Sequence, residues 1–274
     1  LLSRGLGDVY KRQDGTLLDG DGNIPSQLWP LLETMRDRAI AFVPASGRQC
    51  TTLSTMFGSH LQGMPIIAEN GTYVVRDGVD ISSSTIDPNL TREVITGVRQ
   101  LRNDGHDVGL VVATKSIAYL ERGDDPFVSH VATYYHSHRI VKDLSEHTDD
   151  VIKLSIYDFR EASEATYPTM QRTAPEHQVI LATPNWVDIM NPGVNKGSAV
   201  EAVQRDLGVT ADQTAIFGDF LNDLEMMPMA KWSFAMANGH PNIVKASNYV
   251  APPNTENGVI TVLAALLGTR VPIT

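Results

Sequence analysis

Four short strings of the sequence carry residue types that suit phosphoryl transfer. They run from Asp14 to Leu18, from Pro44 to Arg48, from Asn195 to Gly197 and from Gly218 to Asp223. The carboxylates of Asp219 and Asp223 are the hard oxygen ligands that Mg²⁺ prefers. The Ser46 hydroxyl and the amides at a helix start can bond phosphate oxygens, and Lys196 adds a positive charge. Together these groups could hold a divalent cation beside a phosphoryl group.

Taken singly, three of the strings have plainer explanations. Asp14-Gly15 is a common turn pair, the string at Ser46 could simply begin a helix, and an isolated lysine such as Lys196 is usually a surface residue. The last string is more specific, because two carboxylates one helical turn apart repel each other unless a cation lies nearby. The order of all four favours a functional interpretation.

The elements around these strings predict an α/β sheet. Apolar runs predict strands at 40–43, 65–68 and 214–217, and helical spacing of apolar residues predicts helices at 28–35 and 221–229. Such alternation is typical of a parallel sheet with helices on both faces. The carboxyl ends of parallel strands meet at one crevice, so loops distant in sequence can form one site there.

The middle third of the chain predicts a separate α/β unit. Short strands alternate there with helical stretches, and similar α/β segments lie before and after it. We therefore expect a core domain of residues 1–82 and 188–274, interrupted by an inserted α/β domain of residues 83–187.

The composition of the chain limits the classes of partner that the protein is expected to bind. A chain of 274 residues with 42% hydrophobic residues can bury a substantial core, and its formal charge of -10 offers no cationic field for nucleic acid. No apolar run approaches the length that crosses a bilayer, and Leu1 to Gln13 lack the apolar stretch of a signal peptide. We expect a cytoplasmic protein that acts on a small molecule, with neither nucleic acid nor membrane as partner. The sequence does not indicate an oligomeric state.

In their order, the four strings resemble the signature motifs of the haloacid dehalogenase (HAD) superfamily, over about residues 14 to 267. The strings Glu69-Asn70-Gly71, Ala235-Met236-Ala237-Asn238 and Glu256-Asn257-Gly258 further resemble its Cof-like subgroup. The resemblance implies a Rossmann-like core with a parallel sheet and an inserted α/β cap of the C2B type. It also implies Mg²⁺-dependent hydrolysis of small phosphomonoesters, such as sugar phosphates or phosphorylated cofactors, through an aspartyl-phosphate.

The resemblance assigns roles to the matching residues. Asp14 would protonate the leaving oxygen and then activate water, and Lys196 would bind the transferring phosphoryl group. The metal ligands would be Asp14, Asp219 and Asp223, with Asp223 in a supporting position. The positions implied in substrate binding are Ser46, Gly47, Arg48, Asn70, Lys196 and Asn222.

Arg12 departs from the family pattern. The superfamily has an aspartate two residues before Asp14, which is the nucleophile and also a metal ligand. Arginine can fill neither role, and its guanidinium would repel a divalent cation. The chain as written is therefore expected to be inactive.

The residues around Arg12 also do not fit a buried strand, because burying the charged side chains of Lys11 and Arg12 would cost free energy. Because Leu1 to Gln13 look similar to translated adapter sequence, our hypothesis is that residues 1–13 are foreign. Two alternatives stay open. One is a non-catalytic relative that binds a phosphorylated metabolite through Ser46 and Lys196, with Arg12 replacing the cation, and the other is a phosphomutase.

Overall fold

The computed structural model describes residues 15–271, so the predictions made for Arg12 and Asp14 fall outside the described residues. The helices, in chain order, are α1 (Leu28–Asp37), α2 (Cys50–Phe57), α3 (Pro88–Asn103), α4 (Asp125–Ala132), α5 (Thr166–Thr173), α6 (Lys196–Leu207), α7 (Pro241–Ala246) and α8 (Gly258–Leu266). Within the described residues, no helix combines the length and apolar character that crossing a membrane requires.

The strands alternate with these helices along much of the chain, which is typical of an α/β protein. They are β1 (Pro65–Ala68), β2 (Tyr73–Arg76), β3 (Val79–Ser83), β4 (Val108–Thr114), β5 (Ala118–Leu120), β6 (His138–Ile140), β7 (Val151–Asp158), β8 (Gln178–Thr183), β9 (Trp186–Met190), β10 (Ala215–Gly218), β11 (Trp232–Met236) and β12 (Tyr249–Ala251). The predicted α/β class is confirmed.

The chain divides into two compact units. The first contains the described residues up to Gly47, Met56–Ser82 and the residues from Asn195 onward, and the second contains Arg48–Thr55 and Ser83–Val194. Residues 48–55 and 188–194 thus group with the second unit, although the sequence assigned them to the core. The domain boundaries drawn from the sequence stay a prediction.

The first unit holds an antiparallel sheet, β1-β2-β3, and a parallel sheet, β10-β11-β12. An isolated parallel bridge joins Ala45 to Ile67 of β1. Helix α6 packs Ala199, Val200 and Val203 into the buried cluster that also contains these two residues. The start of the Pro44–Arg48 string is therefore fixed beside the end of β1.

Two elements predicted for the first unit are wrong. Residues 40–43 form no strand, because within the described residues only the adjoining Ala45 makes a bridge. Residues 221–229 form two short 3-10 turns, Leu221–Asp223 and Met227–Met229, rather than one α-helix. Pro228 lacks an amide for a helical hydrogen bond, and the Asp223 side chain bonds the backbone of its own turn.

The second unit is a six-stranded sheet in the order β6-β5-β4-β7-β9-β8. Strand β4 is buried along its whole length, and its side chains alternate between two apolar clusters. Leu110 and Val112 join the cluster that contains the α3 and α5 side chains, whereas Val111 and Ala113 join the cluster of α4. The sheet is thus covered on both faces.

Gly109 of β4 supports this packing because α4 approaches its backbone closely. A Cβ atom at Gly109 would lie 2.4 Å from the ring of Phe127, which is fully buried. We expect Gly109→Ala to lower the free energy of unfolding by about 1–3 kcal/mol, because the ring has no room to move. Urea unfolding would measure the loss.

Gly97→Ala is the matched control. Gly97 lies in α3, and its nearest neighbour would be the flexible end of Met170 at 3.2 Å. Alanine gains up to about 1 kcal/mol of helix propensity over glycine there, so we expect a neutral or slightly stabilising effect. Equal stability of the Gly109 and Gly97 variants would contradict the described contact between β4 and α4.

Candidate active site

The end of β10 forms a tight turn that carries two carboxylates. Oδ2 of Asp223 accepts hydrogen bonds from the amides of Asp219 at 3.0 Å and Phe220 at 3.3 Å. A Cβ atom at Gly218 would lie 2.8 Å from the Cβ of Asp223, so the turn can close only around glycine. Asp219 and Asp223 are both buried at this end of the strand.

A buried ion pair joins this turn to α6. The Lys196 amine donates to Oδ1 of Asp223 over 2.8 Å, and both side chains are 0% exposed. The Asn195 side chain caps the helix by accepting from the Ser198 amide, which fixes the backbone at Lys196. Asp223 therefore uses one oxygen for the lysine and the other for its own turn.

The Gly15 and Thr16 positions lie against Asp219. The Thr16 hydroxyl donates to Oδ1 of Asp219 over 2.5 Å. A Cβ atom at Gly15 would lie 2.4 Å from Oδ2 of the same carboxylate, so any larger residue would displace it. The first and fourth strings of the sequence thus meet at one carboxylate.

The second string reaches the same turn through Asn70. The Asn70 amide donates to the Ser46 carbonyl over 2.9 Å, and the Asn222 side-chain amide donates to Oδ1 of Asn70 over 3.2 Å. A Cβ atom at Gly47 would lie 2.9 Å from that same oxygen. Asn70 has a φ of 59°, in the left-handed region that costs a non-glycine residue free energy and often marks a functional position.

Gly71 then ties this loop to the start of α6. Its φ is 99°, and a Cβ atom there would lie 2.4 Å from the carbonyl oxygen of Asn195. Only glycine allows this approach. The loop after β1 is thereby fixed beside the residue that precedes Lys196.

Most of the predicted site residues are brought together in the first unit. Contacts within that unit connect Ser46, Gly47, Asn70, Lys196, Asn222, Asp219 and Asp223. Arg48 instead belongs to the second unit, where its Nη1 donates to the Thr133 carbonyl over 3.2 Å. Asp14 lies outside the described residues, and the roles assigned to all of these positions stay predictions.

Two asparagines hold the first string in place, although neither was assigned a role from the sequence. The Asn238 side chain donates to the Gly15 carbonyl over 2.8 Å and accepts from the Asn254 amide over 3.0 Å. The Asn254 side chain donates to the Leu18 carbonyl over 2.8 Å. Asn238 and Asn254 lie more than 200 residues from Gly15 and Leu18 in sequence, so spacing alone could not have revealed these contacts.

The carboxylate oxygens of Asp219 are hard ligands, and such ligands suit Mg²⁺ better than a softer metal. Asp219 is buried, and the absence of a side chain at Gly15 leaves its carboxylate room. Within residues 15–271, no group of three or more His, Cys, Asp or Glu side chains is arranged to hold a metal. The described residues thus fit one part of a magnesium site, and Asp14, the third predicted ligand, lies outside them.

A comparison with protein families shows to which family the chain belongs. The family model for haloacid dehalogenase-like hydrolases matches residues 13–263. The chain belongs to this family. The resemblance drawn from the four strings is thereby confirmed, and by family the protein is a hydrolase.

Two named relatives of this HAD protein are phosphatases. It is 28% identical over 246 residues to a 5-amino-6-(5-phospho-D-ribitylamino)uracil phosphatase of Escherichia coli strain K12, with 88% of each chain covered. It is 23% identical to an HMP-PP phosphatase of Cronobacter sakazakii, with 84% of each chain covered. The crystal structure of TM0651 from Thermotoga maritima matches with a TM-score of 0.81 at 25% identity, covering 92% of this chain and 94% of that one.

The buried ion pair of this HAD protein gives a stability test of the site. Lys196→Met would leave the Asp223 carboxylate buried without its counter-ion, so we expect a loss of about 3–5 kcal/mol in the free energy of unfolding. The double variant with Asp223→Leu should recover much of this loss, because neither charge of the pair is then left buried without the other. Urea unfolding of the three chains would measure these differences.

Lys231→Met serves as the matched control, since it removes the same charge from an exposed pair. Lys231 lies 3.3 Å from Asp212, with side chains 58% and 77% exposed. We expect a loss of less than about 1 kcal/mol. If Lys196→Met were no more costly than this control, the described burial of the pair would be wrong.

Proposed function

We propose that the native form of this HAD protein is a Mg²⁺-dependent phosphatase that hydrolyses small phosphomonoesters. One observation carries the proposal: the buried Lys196–Asp223 pair is bonded to the turn of Asp219 at the carboxyl end of β10. Such an arrangement provides a fixed cation for phosphoryl oxygens beside a carboxylate that can bind metal. The phosphatase relatives support the same reaction.

Each group has a role in this proposal. Lys196 and the Ser46 hydroxyl bind the phosphoryl oxygens, while Asp14 holds the proton for the leaving oxygen and later takes one from water. Asp14 and Asp219 hold Mg²⁺, with Asp223 in support. When bound, the cation would neutralise phosphoryl charge and polarise the reacting oxygen.

In this proposal, the substrate is oriented by Gly47, Arg48, Asn70 and Asn222. The bond between Asn70 and Asn222 supports this assignment, because it holds two of them in one arrangement. Arg48 is proposed on the family pattern alone.

The proposed substrate is a small phosphorylated metabolite, either a phosphorylated cofactor or a sugar phosphate. The names of the Escherichia coli and Cronobacter sakazakii relatives support the first class. We further propose that residues 83–187 form the inserted α/β cap domain and that the enzyme acts in the cytoplasm. The net charge of -10 argues against nucleic acid as a partner.

Arg12 makes the chain as written inactive in this proposal, since no carboxylate is available at the nucleophile position. We expect no Mg²⁺-dependent hydrolysis of an aryl phosphate by this chain. Replacing residues 1–13 with an apolar strand that has aspartate at position 12 should give clear turnover. A repaired chain that folds, judged by circular dichroism, but stays inactive would overturn the phosphatase proposal.

Arg12 also favours one other function, that of a non-catalytic binder of a phosphorylated metabolite. A guanidinium could pair with Asp219 and replace the cation. Calorimetry of the chain as written with a sugar phosphate, in the absence of Mg²⁺, separates the two. Binding there together with an inactive repaired chain would favour the binder, and no binding would exclude it. A phosphomutase would be recognised from its products.

The role of Asp14 can be tested in the repaired chain. Asp14→Asn should lower kcat by about 10²- to 10⁴-fold, because the amide can neither give nor take the proton. Asp212→Asn is the matched control, since the Asp212 side chain is 77% exposed and lies on the surface. The control should keep the repaired activity, and an Asp14 variant that matched the control would remove Asp14 from the mechanism.

A further inference from the structure

The loop after β1 has a backbone conformation that residues other than glycine seldom adopt. Glu69, Asn70 and Gly71 have φ angles of 51°, 59° and 99°, so three consecutive residues lie in the left-handed region. The first two carry a side chain, and each therefore costs free energy there. The Asn70 amide donates to the Ser46 carbonyl over 2.9 Å, and the Thr72 hydroxyl donates to the Glu69 carbonyl over 3.1 Å. These bonds hold the strained loop beside Ser46.

The side chain of Asn70 is bonded to that of Asn222 in the turn after β10. Nδ2 of Asn222 donates to Oδ1 of Asn70 over 3.2 Å. Oδ1 of Asn222 is buried, and within residues 15–271 no group donates a hydrogen bond to it. Nδ2 of Asn70 likewise has no acceptor among the described residues. The pair thus has an acceptor at its buried end and two donor hydrogens at its other end.

The burial of Asn222 explains why the pair has this orientation. A buried N–H group without an acceptor costs more free energy than a carbonyl oxygen without a donor, and an amide nitrogen carries two such hydrogens. If both amides were reversed, Nδ2 of Asn222 would be at the buried end instead of its oxygen. The observed orientation is therefore favoured. It leaves the donors of Asn70, rather than its oxygen, available to a ligand.

A group that presents only donors favours an anionic ligand. Ionised phosphoryl oxygens are acceptors, so they can accept from Nδ2 of Asn70, whereas its Oδ1 would repel them. A Cβ atom at Gly71 would lie 2.4 Å from the Asn195 carbonyl oxygen, so the loop is packed against the start of α6. Lys196, the cation proposed for the phosphoryl group, is the next residue of that helix.

We propose that Asn70 is the phosphoryl contact of this pair and that Asn222 is a positioning residue. Asn222 acts by accepting no ligand itself and by holding Asn70 with its donors toward the phosphoryl group. The two residues thus have different roles, although the resemblance assigned both to substrate binding. Asn222 then affects phosphate affinity only where Asn70 is present. This proposal rests on the proposed function.

A double-mutant cycle with inorganic phosphate tests this dependence. Both the chain as written and the repaired chain are titrated by calorimetry in the presence of Mg²⁺. Asn70→Gly should keep the fold, because glycine adopts a positive φ readily, and circular dichroism would check this. It should raise the Kd for phosphate about 10- to 100-fold, since a hydrogen bond to a charged group is lost.

Asn222→Asp should reverse the orientation of Asn70. A carboxylate can only accept, so Asn70 must turn Nδ2 toward it and Oδ1 toward the ligand. The new charge also repels phosphate, but it does so with or without the Asn70 side chain. We therefore expect Asn222→Asp to raise the Kd by a factor at least about ten times larger in the chain with Asn70 than in the Asn70→Gly chain.

Asn222→Leu tests the same dependence without a new charge. Asn70 can then turn either way, so about half of the molecules present the donors, and the Kd should rise about twofold. In the Asn70→Gly chain, the same substitution should leave the Kd unchanged. Asn248→Asp is the matched control for charge, because Asn248 is exposed and donates to the Lys231 carbonyl over 2.9 Å. We expect it to change the Kd by less than about twofold.

Equal factors for Asn222→Asp with and without Asn70 would overturn the proposal, because Asn222 would then contact the phosphate independently. An Asn222→Asp chain that binds phosphate as tightly as its parent would overturn it as well. In both cases the parent chain still binds phosphate, so the proposed function stands. Absence of phosphate binding by the chain as written and by the repaired chain would instead remove the phosphate site, and the proposed function would fall together with this proposal.

Discussion

The site of this protein depends on one carboxylate, that of Asp223. It has no exposure to water, and its two oxygens accept from the Lys196 amine and from the backbone of its own turn. Burying two charges costs several kcal/mol each, which the attraction between them recovers only in good geometry. Such a pair adds little net stability, but it sets the position of both partners. The start of α6 and the end of β10 are thus held at a fixed distance, and Asp219 is positioned as a result.

Glycines make this arrangement possible. The backbone segments near Asp223 come so close together that a side chain would not fit between them. A Cβ atom at Gly197 would lie 2.3 Å from the Glu225 carbonyl oxygen, and one at Gly71 would lie 2.4 Å from that of Asn195. Gly15, Gly71, Gly197 and Gly218 each stand next to a polar residue of a motif, and these close approaches explain why glycine is found there. In these motifs, glycines are required by close backbone packing, and they stand next to the polar residues that could take part in chemistry.

Local patterns in the sequence predicted the parts of the fold that local interactions decide. Helix α1 and strand β10 follow directly from apolar spacing, and the gathering of the strings follows from the convergence of strand ends. The turn after β10 was predicted as a helix, because its apolar spacing is helical and the side-chain bonds of Asp223 are not visible in a pattern. Arg48 is adjacent to Gly47 yet groups with the second unit. Whether residues 40–43 form a strand also depends on long-range contacts, which apolar spacing does not reveal.

The contacts within residues 15–271 do not depend on the position proposed for the nucleophile. Lys196, Asn70 and Asn222 are positioned by partners in β1, α6 and the turn after β10. Thr16 and Asn238 hold the first string at Asp219 from its far side. None of these bonds involves position 12, so a change confined to the segment before Gly15 leaves their donors and acceptors intact. A chain with Arg12 can therefore keep these contacts of the candidate site while it lacks the carboxylate that the family reaction requires.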